Sequence, residues 1–268
     1  HKISGAGTWG TAPTYGMADT TGEQNLYIED VTLTDVFEGI DVDDDARVVI
    51  RYSTLTNSGI VTEGVDTSAV GGRYMVIHNN TFVWDTSVKC APDLPSNVNS
   101  LIYFRGGTGL IHDNVIPDVT SQAWGAKSEI SFTVEELRRN SGTYACYANA
   151  GTDLYPAPRQ PGWGYSTGGT TTSGAWPPTV DQDLETIYFW NNTGAGNYGS
   201  PSVANFSPNE CGVNAGLSAT YIQVNREYYL ATPKPGYTAY TYPHPLTVTT
   251  FPTTIPGGVT IPGGVTIK

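Results

Sequence analysis

Met75-Val-Ile-His-Asn-Asn-Thr-Phe82 is the stretch on which the fold of this chain turns. Three apolar residues lead into a short polar turn and then into a second apolar strand, the pattern of two β-strands meeting at a tight corner. Working outward, Leu26-Tyr-Ile-Glu-Asp-Val-Thr-Leu33 and Val48-Val-Ile-Arg-Tyr-Ser-Thr-Leu55 precede it with the same pattern, and Gly109-Leu-Ile-His-Asp-Asn-Val-Ile116 and Tyr188-Phe-Trp-Asn-Asn-Thr193 follow. Aligning Ile28, Ile50, Ile77 and Ile111 gives spacings of 22, 27 and 34 residues. Three strands of about five residues, joined by corners, take roughly 20 residues, and any surplus loops out. Parallel stacking then sets each isoleucine over the last at about 4.8 Å. The expectation is an all-β, single-stranded parallel β-helix with a column of Ile, Val, Leu and Phe inside. Asp30, Asn79, Asp113 and Asn191 stand at the corners, where their side chains are expected to bond backbone at the bend; Tyr52 breaks that rule.

A β-sandwich built from hairpins also alternates apolar strands with polar turns. Its two-residue turns favour Asn-Gly or Asp-Gly, and the chain contains neither dipeptide. Residues 1–246 therefore read as one β-helix domain, with an irregular leading segment at 1–25 and a loop-rich insertion at 117–185. Residues 247–268 read as an extended Pro/Gly tail that repeats Ile-Pro-Gly-Gly-Val-Thr from Ile255 and from Ile261. Val134-Glu-Glu-Leu-Arg-Arg139 is the main helical signal, a turn or two decorating a loop.

The composition supports strands and turns: Gly (31), Pro (18) and Tyr (17) are abundant, while charged residues make up 14% of the chain. A net charge of −12 leaves no basic stripe for phosphates, so nucleic acid is not an expected partner. No apolar run approaches the roughly 20 residues of a membrane helix, and insertion into a membrane is not expected. Cys90, Cys146 and Cys211 form no C-x-x-C pair, and one disulfide with one free thiol is among their options. Asn79, Asn191 and Asn205 open Asn-x-Ser/Thr sites, which together with the low Lys content suit an extracellular setting.

Candidate chemistry starts from carboxylates. Asp41, Asp43 and Asp45 offer oxygen ligands for Ca²⁺, although the EF-hand spacing is absent and a solvated acidic corner explains them as well. Two of these carboxylates facing across a groove would also suit a glycosidase, while Glu63, Asp66, Arg73 and His78 form the candidate catalytic group, since a lyase needs a cation to neutralise a uronate and a base for its α-proton. His78 and His112 follow equivalent isoleucines and are expected to stack on a solvent-facing ladder; with His244 they lack zinc-ligand spacing. No nucleotide fingerprint is present, and no cofactor is expected. Trp124, Trp163, Tyr165 and Trp176 lie in Gly/Pro-rich context, where an exposed ring stacks on a sugar face or a buried one packs a loop.

Leu26-Tyr-Ile-Glu-Asp, Ala46-Arg-Val-Val-Ile-Arg-Tyr52, Ile77-His-Asn-Asn-Thr-Phe82, Phe104-Arg-Gly-Gly-Thr-Gly109, Arg159-Gln-Pro-Gly162, Trp190-Asn-Asn192 and Lys234-Pro-Gly-Tyr-Thr-Ala-Tyr-Thr-Tyr-Pro-His-Pro-Leu246 give the chain a further reading. Across most of residues 26–246 it resembles right-handed parallel β-helix repeat proteins of environmental bacteria and phage. The resemblance implies a right-handed coil and an extracellular, cell-surface or virion-associated setting, without a settled activity. Glu63-Gly-Val-Asp66 stands where such proteins tend to carry His-Gly before an Asp, and Trp163 where an Arg is usual, so a site at those positions is altered here. The functional expectation is a non-enzymatic structural or adhesion protein that self-assembles and contacts glycans. Val259, Ile261, Val265 and Ile267 in the β-branched tail are the candidate assembly residues, pairing with an open strand edge of a neighbour. A polysaccharide lyase or glycoside hydrolase of tailspike type is the alternative, and a carbohydrate-binding module the second.

Overall fold

The computed structural model describes residues 2–4, 25–34, 39–43, 46–56, 58–62, 72–83, 100–116, 123–124, 127–128, 130–135, 161–165, 182–194, 202–204, 222–245, 254–255 and 259–260. Contacts divide the chain into two units, His1–Tyr237 and Thr238–Lys268.

In the first unit the chain moves cyclically among three parallel sheets. β1 (Lys2–Ser4) comes first, followed by β2 (Leu26–Glu29), β3 (Thr32–Thr34) and β4 (Ile40–Asp43), then by β5 (Arg47–Arg51), β6 (Thr54–Thr56) and β7 (Ile60–Thr62). The next circuits are β8 (Tyr74–His78), β9 (Thr81–Val83) and β10 (Ser100–Phe104), then β11 (Thr108–His112) and β12 (Val115–Ile116). A small antiparallel pair, β13 (Ala123–Trp124) with β14 (Lys127–Ser128), precedes β15 (Ile130–Glu135). A second pair, β16 (Trp163–Tyr165) with β17 (Gln182–Leu184), precedes β18 (Ile187–Trp190), β19 (Thr193–Gly194), β20 (Ser202–Ala204) and β21 (Tyr228–Leu230).

The first sheet runs β1-β4-β7-β10-β15-β20, the second β2-β5-β8-β11-β18-β21 and the third β19-β12-β9-β6-β3. Every neighbouring pair within these three sheets is parallel. No α-helix is found among the described residues, and none there is long and apolar enough to cross a membrane. In the second unit β22 (Thr254–Ile255) pairs antiparallel with β23 (Val259–Thr260) across Pro256-Gly-Gly258.

The register bears out the isoleucine alignment. Ile28 pairs with Ile50, Ile50 with Ile77, Ile77 with Ile111, and Ile111 with Phe189. Side chains alternate along a strand, so Val48 and Ile50, or Met75 and Ile77, point into a common core that Leu55, Phe82, Phe104 and Ile187 fill. The alternate residues Val49, Val76 and Leu110 are buried as well. A sheet covered on both faces accounts for unbroken apolar runs such as Val48-Val-Ile50, where a half-exposed sheet would alternate.

After each described strand of the second sheet the backbone turns through one left-handed residue. Asp30, Tyr52, Asn79, Asp113, Asn191 and Ala231 all have φ between 52° and 57°. That conformation costs a typical L-residue about 1–2 kcal/mol, and Asn and Asp tolerate it best. The corner residue is thus selected for its backbone. The bonding falls to the next residue, which corrects the sequence reading. Asn80 Nδ2 donates to the Ile50 carbonyl, Asn114 Nδ2 to Ile77 and Asn192 Nδ2 to Ile111, at 2.9–3.0 Å. Each Oδ1 accepts from the backbone N–H one coil earlier, that of Ser53, Asn80 or Asn114, at 3.0–3.1 Å. Amide-to-amide bonds join Asn80 to Asn114 and Asn114 to Asn192. Ser53 ends the ladder, its hydroxyl donating to the Arg51 carbonyl and accepting from Val31 N–H.

Two further expectations are corrected. Val134 and Glu135, read as the start of a short helix, belong to β15. Ile130, Phe132 and Val134 alternate with polar residues and stand in register with Ser100, Ile102 and Phe104, so a pairing edge outweighs weak helical propensity. Residues 136–139 lie outside the described residues. The leading segment, expected to be irregular, supplies β1, which pairs with Asp41–Asp43.

Candidate functional site

The last residues of the second sheet's strands form a column along its outer face. Register places Glu29 beside Arg51, Arg51 beside His78, His78 beside His112 and His112 beside Trp190. Arg51 Nε donates to Glu29 Oε2 at 2.8 Å, and its guanidinium lies 5.1 Å from the Tyr27 ring centre. Below it the rings stack: His78 on His112 at 4.8 Å and His112 on Trp190 at 4.1 Å, each pair within 9° of parallel. Tyr52 meets His78 edge-on. The expected histidine stack is therefore present, but both rings are buried, His78 to 1% exposure, and the solvent-facing reading is corrected. Val49, Val76 and Leu110, two residues earlier on the same face, are buried too, so this part of the face is covered.

Hydrogen bonding fixes both tautomers. His112 Nδ1 lies 2.7 Å from Asp113 Oδ2. A carboxylate only accepts, so Nδ1 holds the proton and Nε2 is left as an acceptor. Nε2 takes the Tyr237 hydroxyl at 3.2 Å. His78 Nδ1 donates in the same way to Asn79 Oδ1 at 2.7 Å, while its Nε2 is buried with no hydrogen-bond partner. Burial therefore depresses the His78 pKa to about 4, with repulsion from His112 and Arg51 adding to the effect and the Asn79 bond opposing it. Burial also lowers His112, against the pull of Asp113.

Tyr237 reaches the column because of a tight turn. Lys234-Pro-Gly-Tyr237 closes with Tyr237 N–H donating to the Lys234 carbonyl at 3.1 Å, and Gly236 sits at φ 72°. Pro at the second position and a positive-φ Gly at the third are the requirements of a type II turn. At its far end the phenol ring packs edge-on against both His112 (5.2 Å) and Trp190 (5.8 Å). At its near end Lys234 Nζ stands 3.6 Å from Glu185 Oε1. Burial raises the Glu185 pKa, and Lys234 works against that rise. Beside them Tyr188 and Tyr229 stack at 5.3 Å on the same outer face.

A second carboxylate is structural. Glu227 is fully buried and accepts from Arg226 Nε, Gln223 N–H and Trp163 Nε1 at 2.6–3.1 Å. Gly162, at φ 86°, packs so closely over Glu227 that a Cβ would come within 2.6 Å of its carbonyl oxygen.

The sequence-derived candidates fall as follows. Arg73 immediately precedes β8 and His78 ends it, about 16 Å apart along the strand, so they do not converge; Glu63 and Asp66 lie outside the described residues. Asp41 and Asp43 are alternate residues of β4, and Asp45 lies outside the described residues. Among the described residues no three His, Cys, Asp or Glu side chains gather as metal ligands would. Trp163 is half-buried and committed to Glu227. Trp124 and Tyr165 lie in β13 and β16, and Trp176 is outside the described residues. Val259 is in β23; Ile261, Val265, Ile267 and the three cysteines are outside. Sequence reasoning missed Asp113, Trp190, Tyr237, Glu185 and Lys234 as parts of one face.

Fold and site together define an all-β protein of stacked parallel sheets with one chemically varied outer column. In comparisons with known proteins, no family model matches the chain, nor does any curated protein or solved structure.

Proposed function

We propose that the chain is a right-handed parallel β-helix, akin to the repeat proteins it resembles, and that it serves as an extracellular, cell-surface or virion-associated structural or adhesion protein. On this reading copies associate end to end, and glycans are contacted through the outer faces. The supporting observation is the edge formed by β2 and β3. Both are the outermost strands of their sheets, and Leu26 at that edge is 49% exposed. An outermost strand offers unpaired N–H and C=O groups to an added strand, and head-to-tail contacts that do not close produce filaments. The β-branched segments of residues 247–268 are the strands proposed to add to a neighbour's edge.

Light scattering over a concentration series tests this reading. Growth of assemblies that is abolished both by Leu26→Lys and by deletion of residues 247–268 is expected. A monomer at every concentration, or assembly indifferent to both changes, overturns it.

A further inference from the structure

Asp113, His112 and Tyr237 form a chain of two hydrogen bonds that the fold does not require. Where the corner needs a left-handed residue, Asn79 serves as well as Asp113, and where the stack needs a flat ring, His78 and Trp190 serve as well as His112. What is particular to this coil is the order of groups: a carboxylate on Nδ1, a buried neutral imidazole, and on Nε2 the hydroxyl of a half-buried tyrosine. A reactive hydroxyl, a base within hydrogen-bond reach and a third group orienting the base are the elements of an activated nucleophile or general base.

We propose that Tyr237 is an activated phenol, a general acid–base that exchanges protons with a glycan lying over the half-buried tyrosines Tyr188, Tyr229 and Tyr237, at the end of the second sheet's outer face that is not fully covered. This goes beyond the end-to-end association and does not depend on it. In the forward step the Tyr237 O–H bond breaks and its proton moves to His112 Nε2. The imidazolium so formed faces the Asp113 carboxylate. The phenolate oxygen takes a proton from the substrate, and the reverse transfer returns one to it, so no oxidant, reductant or second substrate is needed. The glycan class follows from the neighbours. Tyr237 packs on Trp190, and Tyr188 of the stacked Tyr188–Tyr229 pair is two residues before Trp190 on the same face, about 7 Å along the strand. Lys234 on the same turn, paired with Glu185 just before β18, supplies polar groups of both signs for sugar hydroxyls. Aromatic rings beside such groups suit a pyranose, which has an apolar face and a polar rim.

An arylsulfonyl fluoride tests the activation without knowledge of the substrate. The phenol oxygen displaces fluoride from sulfur while its proton goes to His112, and peptide mass spectrometry reads which tyrosine is labelled. Tyr237 is expected to label about tenfold or more faster than Tyr229 in the same molecule. Asp113→Asn keeps a residue that the corner accepts, as Asn79 and Asn191 show, and removes only the charge. It is expected to bring the Tyr237 rate down to that of Tyr229 while the urea midpoint holds. Tyr237 labelling no faster than Tyr229, or a rate unmoved by Asp113→Asn, overturns the relay. For the ligand, polygalacturonate and dextran are added separately as an acidic and a neutral probe. Protection of Tyr237 from label by either supports the glycan class, and protection by neither overturns it.

Discussion

Two buried polar columns run side by side along the second sheet and its corner, and they are built on opposite principles. The inner one repeats a single residue, Asn80, Asn114 and Asn192, so each amide meets a copy of itself and both its oxygen and its nitrogen are satisfied. The outer one mixes residue types, Arg51, then His78 and His112, then Trp190, and leaves His78 Nε2 with no hydrogen-bond partner. A buried polar atom without a partner costs stability, and the fold could remove that cost by repeating one residue, as it does one step away. Repetition marks what stacking needs; variation at a buried position marks what stacking does not explain. The outer column is the one that carries groups able to pass a proton.

The comparison breaks most visibly at Asn114. Asn114→Ala removes two donated and two accepted bonds and strands the Asn80 N–H in the interior, so urea unfolding is expected to show a loss of about 4 kcal/mol. The outer column responds to acid. The His78 pKa lies near 4 in the folded chain against an ordinary 6.5, so protons bind the unfolded chain preferentially. Its contribution is intact above about pH 6.5 and lost as pH falls through 4, by about 3 kcal/mol in all. Unfolding of His78→Phe across that window is expected to be flatter with pH than that of the parent. Gly236→Ala forces an L-residue into φ 72°, where nothing else obstructs a Cβ. The turn that seats Tyr237 should lose about 1–2 kcal/mol, measured by thermal unfolding. The smallest effect is a gain. Ala231 is exposed and left-handed at the same corner as Asn79 and Asn191, so Ala231→Asn should stabilise by up to about 1 kcal/mol.

The stacking itself was legible because an inward side chain must recur once per circuit, and Ile28, Ile50, Ile77 and Ile111 do. The corner was legible in composition and misread in role. Two polar residues sit together in Asn79-Asn80 and Asp113-Asn114, and only the backbone handedness tells which side chain turns outward and which turns in. The outer column was half legible: the His78–His112 stack followed from spacing, but its burial depends on what covers the sheet. The relay was not legible at all. His112 and Tyr237 lie 125 residues apart, and no local spacing rule connects a strand end to a turn that returns after two more circuits. The Lys234-Pro-Gly-Tyr237 turn stood out in the sequence, yet its partners could be named only once the register was known.

A designed cross-link tests the parallel stacking most directly. Thr54 in β6 and Thr81 in β9 are register partners on the third sheet, at a separation within disulfide reach, since parallel neighbours lie about 4.8 Å apart. Thr54→Cys with Thr81→Cys, oxidised in the folded protein, should give a 54–81 disulfide by peptide mapping. Two thiols that stay free of each other in folded protein would contradict the account.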